Sequence, residues 1–110
     1  MGDSIEEFNS VINNASNFLS STLVKQITDI GTAICVLDNA FVYVGNLIIG
    51  RELSIIQSAK NIRIYGTTKG LGQLAIEGPQ KQTVLDDAGT VCCFNEELKH
   101  FILTDISLWK

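Results

Sequence analysis

The sequence predicts an α+β domain in which a long N-terminal helix packs with a five- to six-stranded antiparallel sheet and one short helix. Three observations lead to this class. Apolar residues recur every three or four positions up to about Thr28, which is the period of an amphipathic helix. After Gly31 the chain changes to short runs of aromatic and β-branched residues separated by turn-forming residues, as in strands. A glycine-rich stretch, residues 61–79, interrupts these runs.

Length and composition are typical of a single globular domain. The chain has 110 residues, of which 45% are hydrophobic and 18% are charged, as expected for one domain with one core. Within it we expect residues 1–30 to form the N-terminal helix, a candidate dimerisation element, and residues 31–110 to form a β-rich core. No apolar run reaches the roughly 18 residues of a membrane-spanning helix, so we expect no membrane association.

Residues from Ser4 to about Thr28 carry the signals of the long helix. Ser4 and Glu7 have the spacing of a capping box. The polar side of the apolar stripe consists mainly of Asn and Ser, which are weak helix formers, so the helix needs a partner surface. We expect it to pack across the sheet of its own chain and also to pair with the same helix of a second subunit. Gly31 is its predicted end.

The β-rich core is expected to begin with an antiparallel meander. The nearly continuous apolar run at 32–37 is typical of a strand buried on both faces. Asp38-Asn39 and Gly50-Arg51 have the composition of tight turns, and Gly45 indicates a bulge or a close backbone approach. The remaining strands are predicted at 41–49, 52–56, 61–65, 90–94 and 100–106.

Three other features complete the predicted fold. Residues 71–76 have the length and spacing of a short helix. Residues 80–89 are polar and are expected to form a loop. Trp109, near the C-terminus, is interpreted as a cap on the core, with docking on a neighbouring subunit as the alternative.

The segment 63–72 is the candidate ligand-binding site. Free backbone amides at the start of the short helix attract anions, and threonine hydroxyls and a lysine ammonium add further donors. An arginine and a tyrosine on the preceding strand have the chemistry to hold a phosphate and stack a base. The predicted ligand-binding residues are Arg63, Tyr65, Thr67, Thr68, Lys69, Gly70 and Gly72. Alternatively, Gly66 and Gly70 only form tight turns, and Thr67 or Thr68 only caps the helix.

Charge and cysteine usage narrow the classes of function. The net charge of −4 argues against a protein that binds duplex nucleic acid. Lys60, Arg63 and Lys69 nevertheless lie within ten residues that contain no acid, which suits a small anionic ligand. Three cysteines, two of them adjacent, favour a reducing compartment over a disulfide framework.

Signals of catalysis are weak in this sequence. The spacing of a Walker motif is missing, and no serine lies in a nucleophile elbow. The single histidine, His100, and the adjacent Asp86 and Asp87 are interpreted as solvated surface residues. We therefore predict no catalytic residue, no metal site and no cofactor.

The glycine-rich stretch and the residues after it resemble a known family. The run YGTTKGLGQLAIEGP (65–79), followed by TVLD (83–86) and GTV (89–91), resembles a family of small uncharacterised phage and prophage proteins. Its members share a Trp/Tyr-Gly-Thr-x-Lys-Gly-Leu-Gly-x-Leu/Ile-Ala core. The resemblance covers roughly residues 41–103 and transfers no functional residue. It implies a phage protein that works in the cytoplasm of the infected bacterial host.

Small phage domains of this kind are often counter-defence factors. The resemblance and the candidate anion site together predict a non-enzymatic protein that sequesters a nucleotide immune signal, either of the cyclic ADP-ribose type or a cyclic oligonucleotide. We expect it to be a homo-oligomer, a dimer or larger, assembled through the N-terminal helix. The alternatives are a protein-interaction module that occludes a host enzyme, and an enzyme that cleaves the signal through His100 or the paired aspartates.

Overall fold

The computed structural model describes residues 27–110, in which five antiparallel strands form one sheet. The strands are β1 (Thr28–Leu37), β2 (Val42–Ile49), β3 (Leu53–Ile64), β4 (Val84–Phe94) and β5 (Leu98–Leu103). Their order in the sheet is β4-β3-β2-β1-β5, so the first four form a meander and β5 returns to pair with β1. Helix α1 (Leu71–Glu77) connects β3 to β4, and 3-10 turns cover Asn95–Glu97 and Ile106–Trp109.

The predicted class, with a long N-terminal helix as its main element, is wrong for the described residues. They form a mainly-β structure in which α1, with seven residues, is the one α-helix. The end of the predicted helix is a strand, because Thr28 and Asp29 pair with Ile49 and Ile48 of β2. Gly31 lies within β1, next to a register shift, and does not end a helix. The rest of the predicted helix, up to residue 26, lies outside the described residues.

The predicted meander is confirmed, and turn residues account for two of its hairpins. Between β1 and β2, Asn39 Oδ1 accepts a hydrogen bond of 3.0 Å from the Phe41 amide, which is how a short polar side chain stabilises a turn. Between β2 and β3, the Gly50 amide donates to the Leu53 carbonyl at 2.8 Å. The connecting loop has three residues, 50–52, rather than the two predicted.

Two segments that the sequence predicts as separate strands form one strand, β3, with a bulge between them. Strands were predicted at 52–56 and 61–65, but β3 runs without a break through Ser58, which adopts a φ of 51°. The register with β2 shifts there, between Val44 and Asn46. A Cβ on Gly45 would lie 2.7 Å from the carbonyl oxygen of Gln57. This confirms the predicted close backbone approach at Gly45.

Both edge strands differ from the predicted boundaries. The polar loop expected at 80–89 is largely part of β4, whose residues 86–90 are all exposed. An edge strand with little buried surface lacks the apolar alternation that identifies strands in sequence. The strand predicted at 100–106 is shifted to Leu98–Leu103, and Ile106 begins the C-terminal 3-10 turn.

One face of the sheet carries α1 and the C-terminal turn. This helix-covered face consists of Ile34, Val42, Val44 and Ile62, which pack with Leu74, Ala75 and Trp109. Trp109 Nε1 donates to Thr104 Oγ1 at 3.0 Å, and that hydroxyl donates to the Ala75 carbonyl at 2.6 Å. Trp109 is 7% exposed, so the prediction that it caps the core is confirmed.

The second face of the sheet has a separate apolar cluster. Its buried members are Ala33, Cys35, Leu47, Ile56 and Ala59, and half-buried residues, including Ile30, Tyr43 and Phe101, pack around them. Burial, together with the nearby Cys93, raises the pKa of the Cys35 thiol from 9.0 to about 12. The predicted burial of residues 32–37 on both faces is therefore confirmed for Ala33, Ile34 and Cys35, none of which has exposed surface.

Candidate functional site

The loop between β3 and α1, residues 65–70, is anchored to the chain just before β4. Gly66 has a φ of 64°, and a Cβ on it would lie 2.5 Å from the backbone nitrogen of Thr83. Thr83 Oγ1 donates a hydrogen bond of 2.6 Å to the Tyr65 carbonyl. Glycine is therefore required at position 66 both by its left-handed conformation and by the contact with the neighbouring backbone.

Three donors of this loop converge on a single oxygen atom. The amides of Thr68 and Lys69 donate to Oε1 of Gln73 at 3.1 and 3.0 Å, and the Thr68 hydroxyl lies 3.4 Å from the same atom. Successive backbone amides that point at one acceptor form the kind of concave site that binds anions. We call these three donors the amide cradle. In this structure its acceptor is a neutral side-chain oxygen from the first turn of α1.

Thr67 closes the turn that precedes α1. Its Oγ1 accepts a hydrogen bond of 2.9 Å from the Gly70 amide, and Gly70 has a φ of 74°. The interpretation that Gly66 and Gly70 form tight turns is consistent with these contacts. The amides of Thr68 and Lys69 therefore have their partner in the first turn of α1, and the Gly70 amide has its partner within the loop.

Arg63 forms an ion pair on the exposed surface. Its Nε lies 2.7 Å from Oδ2 of Asp86 on β4, and both side chains are about half exposed. The hydrogen bond to Asp86 raises the pKa of the Arg63 guanidinium. The alternation of Arg63 and Tyr65 with Ile62 and Ile64 in the sequence predicts that the first two share the face opposite the core. In the structure the register with β4 shifts between Ile62 and Ile64, and Ile64 is 48% exposed, so the alternation does not hold at Ile64. Arg63 and Tyr65 are both exposed.

The other predicted site residues differ in how strongly the structure constrains them. Lys69 is exposed and forms no salt bridge within residues 27–110. Tyr65 is 38% exposed, so its ring is accessible. Gly72 has open space around the position of a Cβ and no left-handed φ, so neither conformation nor contact requires glycine there.

Two interacting residues were missed in the sequence. Asp86 is 23 residues away from Arg63, and no local pattern indicates such a pairing. Gln73 did have a local signal, because it is the third residue of α1. From that position a Gln or Glu side chain commonly reaches back to amides that precede the helix.

The residues of the cleavage alternative are separated. His100 lies on β5, whereas Asp86 and Asp87 lie on β4, and these strands form opposite edges of the sheet. Across residues 27–110 there is no group of three or more His, Cys, Asp or Glu side chains placed to hold a metal ion. In the same part of the chain, no helix is long and apolar enough to cross a membrane.

Comparisons with known proteins add no relative. The chain matches no protein-family model, no curated protein and no solved structure. The resemblance to phage proteins therefore stays a prediction, and any function has to be argued from the chain itself.

Proposed function

We propose that this protein binds a small anionic nucleotide at the loop 65–70 and the first turn of α1, and sequesters it without cleaving it, as a phage counter-defence factor in the bacterial cytoplasm. The amide cradle is the observation that carries this proposal, because three donors already point at one oxygen atom. A phosphate oxygen is charged and forms stronger hydrogen bonds than the amide oxygen of Gln73. It would displace that oxygen and take its place.

The side chains around the cradle supply the rest of a nucleotide site. Lys69 supplies one of the cradle amides, and its exposed side chain carries an ammonium group that can reach a phosphate bound there. Arg63 can exchange its exposed carboxylate partner for a phosphate at little cost, because ion pairs between exposed side chains contribute little to stability. The exposed ring of Tyr65 offers a surface on which a base can stack. We assign no catalytic role, because tight binding alone lowers the free concentration of a signal.

A module that occludes a host enzyme is the second candidate function. It is favoured by large apolar side chains that are about half exposed or more, namely Phe41, Leu53, Ile64, Ile76, Phe94, Leu103 and Ile106. Exposed apolar residues mark interaction surfaces when they form a contiguous patch. This candidate makes no use of the amide cradle, so substitutions in the loop separate it from nucleotide binding.

The test is a depletion assay with the full-length protein. Purified protein is incubated with cyclic ADP-ribose isomers and cyclic di- and trinucleotides, and free nucleotide is measured by mass spectrometry after ultrafiltration. The protein is then heat-denatured to release what it holds. We expect one nucleotide to be depleted and recovered intact. Recovery of an altered product would show that the protein cleaves the nucleotide and does not sequester it. If no nucleotide in the panel is depleted, nucleotide binding is rejected and the interaction module becomes the leading candidate.

Two lysine variants locate the site in the same assay. Lys69→Ala should raise the Kd for the depleted nucleotide about tenfold, which corresponds to about 1.4 kcal/mol. Lys99→Ala removes the same charge from an exposed position on β5 and should leave the Kd within about twofold of wild type. Equal effects of the two variants would mean that only net charge matters and that the loop is not the binding site.

A further inference from the structure

The second face of the sheet is buried, although the helix and the C-terminal turn lie on the opposite side. Ala33, Cys35, Leu47 and Ile56 have no exposed surface. Within residues 27–110, α1 and the turn containing Trp109 pack on the helix-covered face and contribute nothing to the second cluster. A sheet that is apolar on both faces needs a layer on each of them.

The start of β1 contacts this face of the sheet. Ile30, the third residue of β1, packs against the second-face cluster. The 26 residues before Ile27 span about 39 Å even at a rise of about 1.5 Å per residue, whereas the ten residues of β1 span about 33 Å. The segment is therefore long enough to run along the whole face.

The composition of this segment fits an apolar surface. Residues 8–24 contain no Asp, Glu, Lys or Arg, so this part of the segment can be laid on the sheet without burying a charge, which would be costly. Its large apolar residues include Ile5, Phe8, Val11, Ile12, Phe18, Leu19, Leu23 and Val24. The second-face cluster is likewise built from uncharged residues.

We infer that residues 1–26 cover the second face of the sheet of their own chain. The attachment at Ile27 holds the segment next to this face at a high effective concentration, which favours it over the same segment of a second copy. The cluster around Cys35 is thus a docking surface for the N-terminal segment. The reactivity of the Cys35 thiol indicates whether this surface is covered.

The first test measures how fast Cys35 reacts in the full-length protein. Iodoacetamide labelling is followed by peptide mass spectrometry in a Cys92→Ser background, which removes the exposed thiol. Phe8→Asp and Phe18→Asp each place a charge in the apolar segment, and at least one should accelerate labelling of Cys35 about tenfold or more. Asn17→Asp adds the same charge at a polar position and should label at the wild-type rate. If neither Phe variant labels faster, the inference is wrong.

A second measurement does not depend on a destabilising charge. The photo-crosslinking residue p-benzoylphenylalanine is placed at position 18 of the full chain, and crosslinked peptides are identified in a mixture of ¹⁴N- and ¹⁵N-labelled protein. We expect crosslinks to β1, β2 or β3 peptides that carry the second face, within one isotope label. Crosslinks that join the two labels would assign the face to a second copy. Crosslinks to other surfaces alone would also overturn the inference.

Discussion

Oδ2 of Asp86 lies 2.7 Å from Nε of Arg63, so the cation predicted to hold a phosphate already has a carboxylate partner. The pair joins neighbouring strands, β3 and β4, near the start of the loop that forms the amide cradle. With side chains 59% and 48% exposed, the pair contributes little to stability. Its consequence for function is larger, because a nucleotide phosphate has to compete with Asp86 for Arg63.

Asp86→Asn should therefore strengthen nucleotide binding. Removing the carboxylate frees the guanidinium, and we expect the Kd of the depleted nucleotide to fall about three- to tenfold at low salt, with less change at high salt. The free energy of unfolding should change little, because both side chains of the pair are exposed. Asp87→Asn is the matched control, since it removes the same charge from the next residue, which is also exposed. A similar gain in both variants would point to net charge instead of the release of Arg63.

Gly66→Ala should destabilise the fold, whereas Gly72→Ala should not. Alanine at 66 combines a left-handed φ with a Cβ only 2.5 Å from the Thr83 nitrogen, and we expect a loss of about 2 kcal/mol or more in the free energy of unfolding. Gly72 lies in α1 with open space around it, so alanine there should be neutral or stabilise by up to about 1 kcal/mol. Urea unfolding of both variants measures the difference. Equal stabilities would show that the contact between Gly66 and Thr83 is not rigid.

Local chemistry explains which parts of the fold could be predicted. Asn39 and Gly50 indicate two hairpins because their turn conformations depend on nearby residues alone. The same holds for α1, whose predicted start at Leu71 agrees with the structure. The continuity of β3 was missed because the bulge at Ser58 depends on the strand next to it. The polar stretch in β4 was missed because its exposed side chains have no strand pattern. It is a strand because its backbone pairs with β3.

The candidate site also has parts that local sequence indicates and parts that depend on strand pairing. Its glycines and threonines are visible in the sequence because they form the turn locally, and Thr67 does accept a bond from Gly70. The internal partner of the cradle amides, Gln73, was missed although its place as the third residue of α1 is a local signal. The sequence also leaves Arg63 unpaired, because Asp86 approaches it only after β3 and β4 have paired.

Stability should decrease above pH 9 because of Cys35. In the folded protein, burial and the nearby Cys93 raise the pKa of this thiol from 9.0 to about 12. Between these two values the unfolded chain has lost the proton that the folded chain keeps, so a rise in pH favours unfolding. The free energy of unfolding should fall by at most about 1.4 kcal/mol per pH unit, and the contribution is fully present below pH 9.

Urea unfolding between pH 8 and pH 11 measures this dependence. Cys35→Ala should give a shallower decline than wild type, because the variant has no thiol to ionise at this position. Cys92→Ala removes an exposed cysteine and controls for the loss of a cysteine as such. A wild-type slope that is unchanged in Cys35→Ala would assign the pH dependence to other groups.

Gln73 provides the sharpest test of the amide cradle, because two substitutions there should act in opposite directions. Gln73→Glu puts a carboxylate oxygen where Oε1 accepts from Thr68 and Lys69. Charge-assisted bonds should raise the melting temperature, partly offset by repulsion from Glu77, which the glutamine contacts at 3.4 Å. The same carboxylate should exclude a phosphate and weaken nucleotide binding about tenfold or more. Gln73→Ala removes the acceptor, so the protein should lose about 1 kcal/mol and still bind nucleotide at least as tightly as wild type. If both variants bind as wild type does, the cradle is a structural turn and not the binding site.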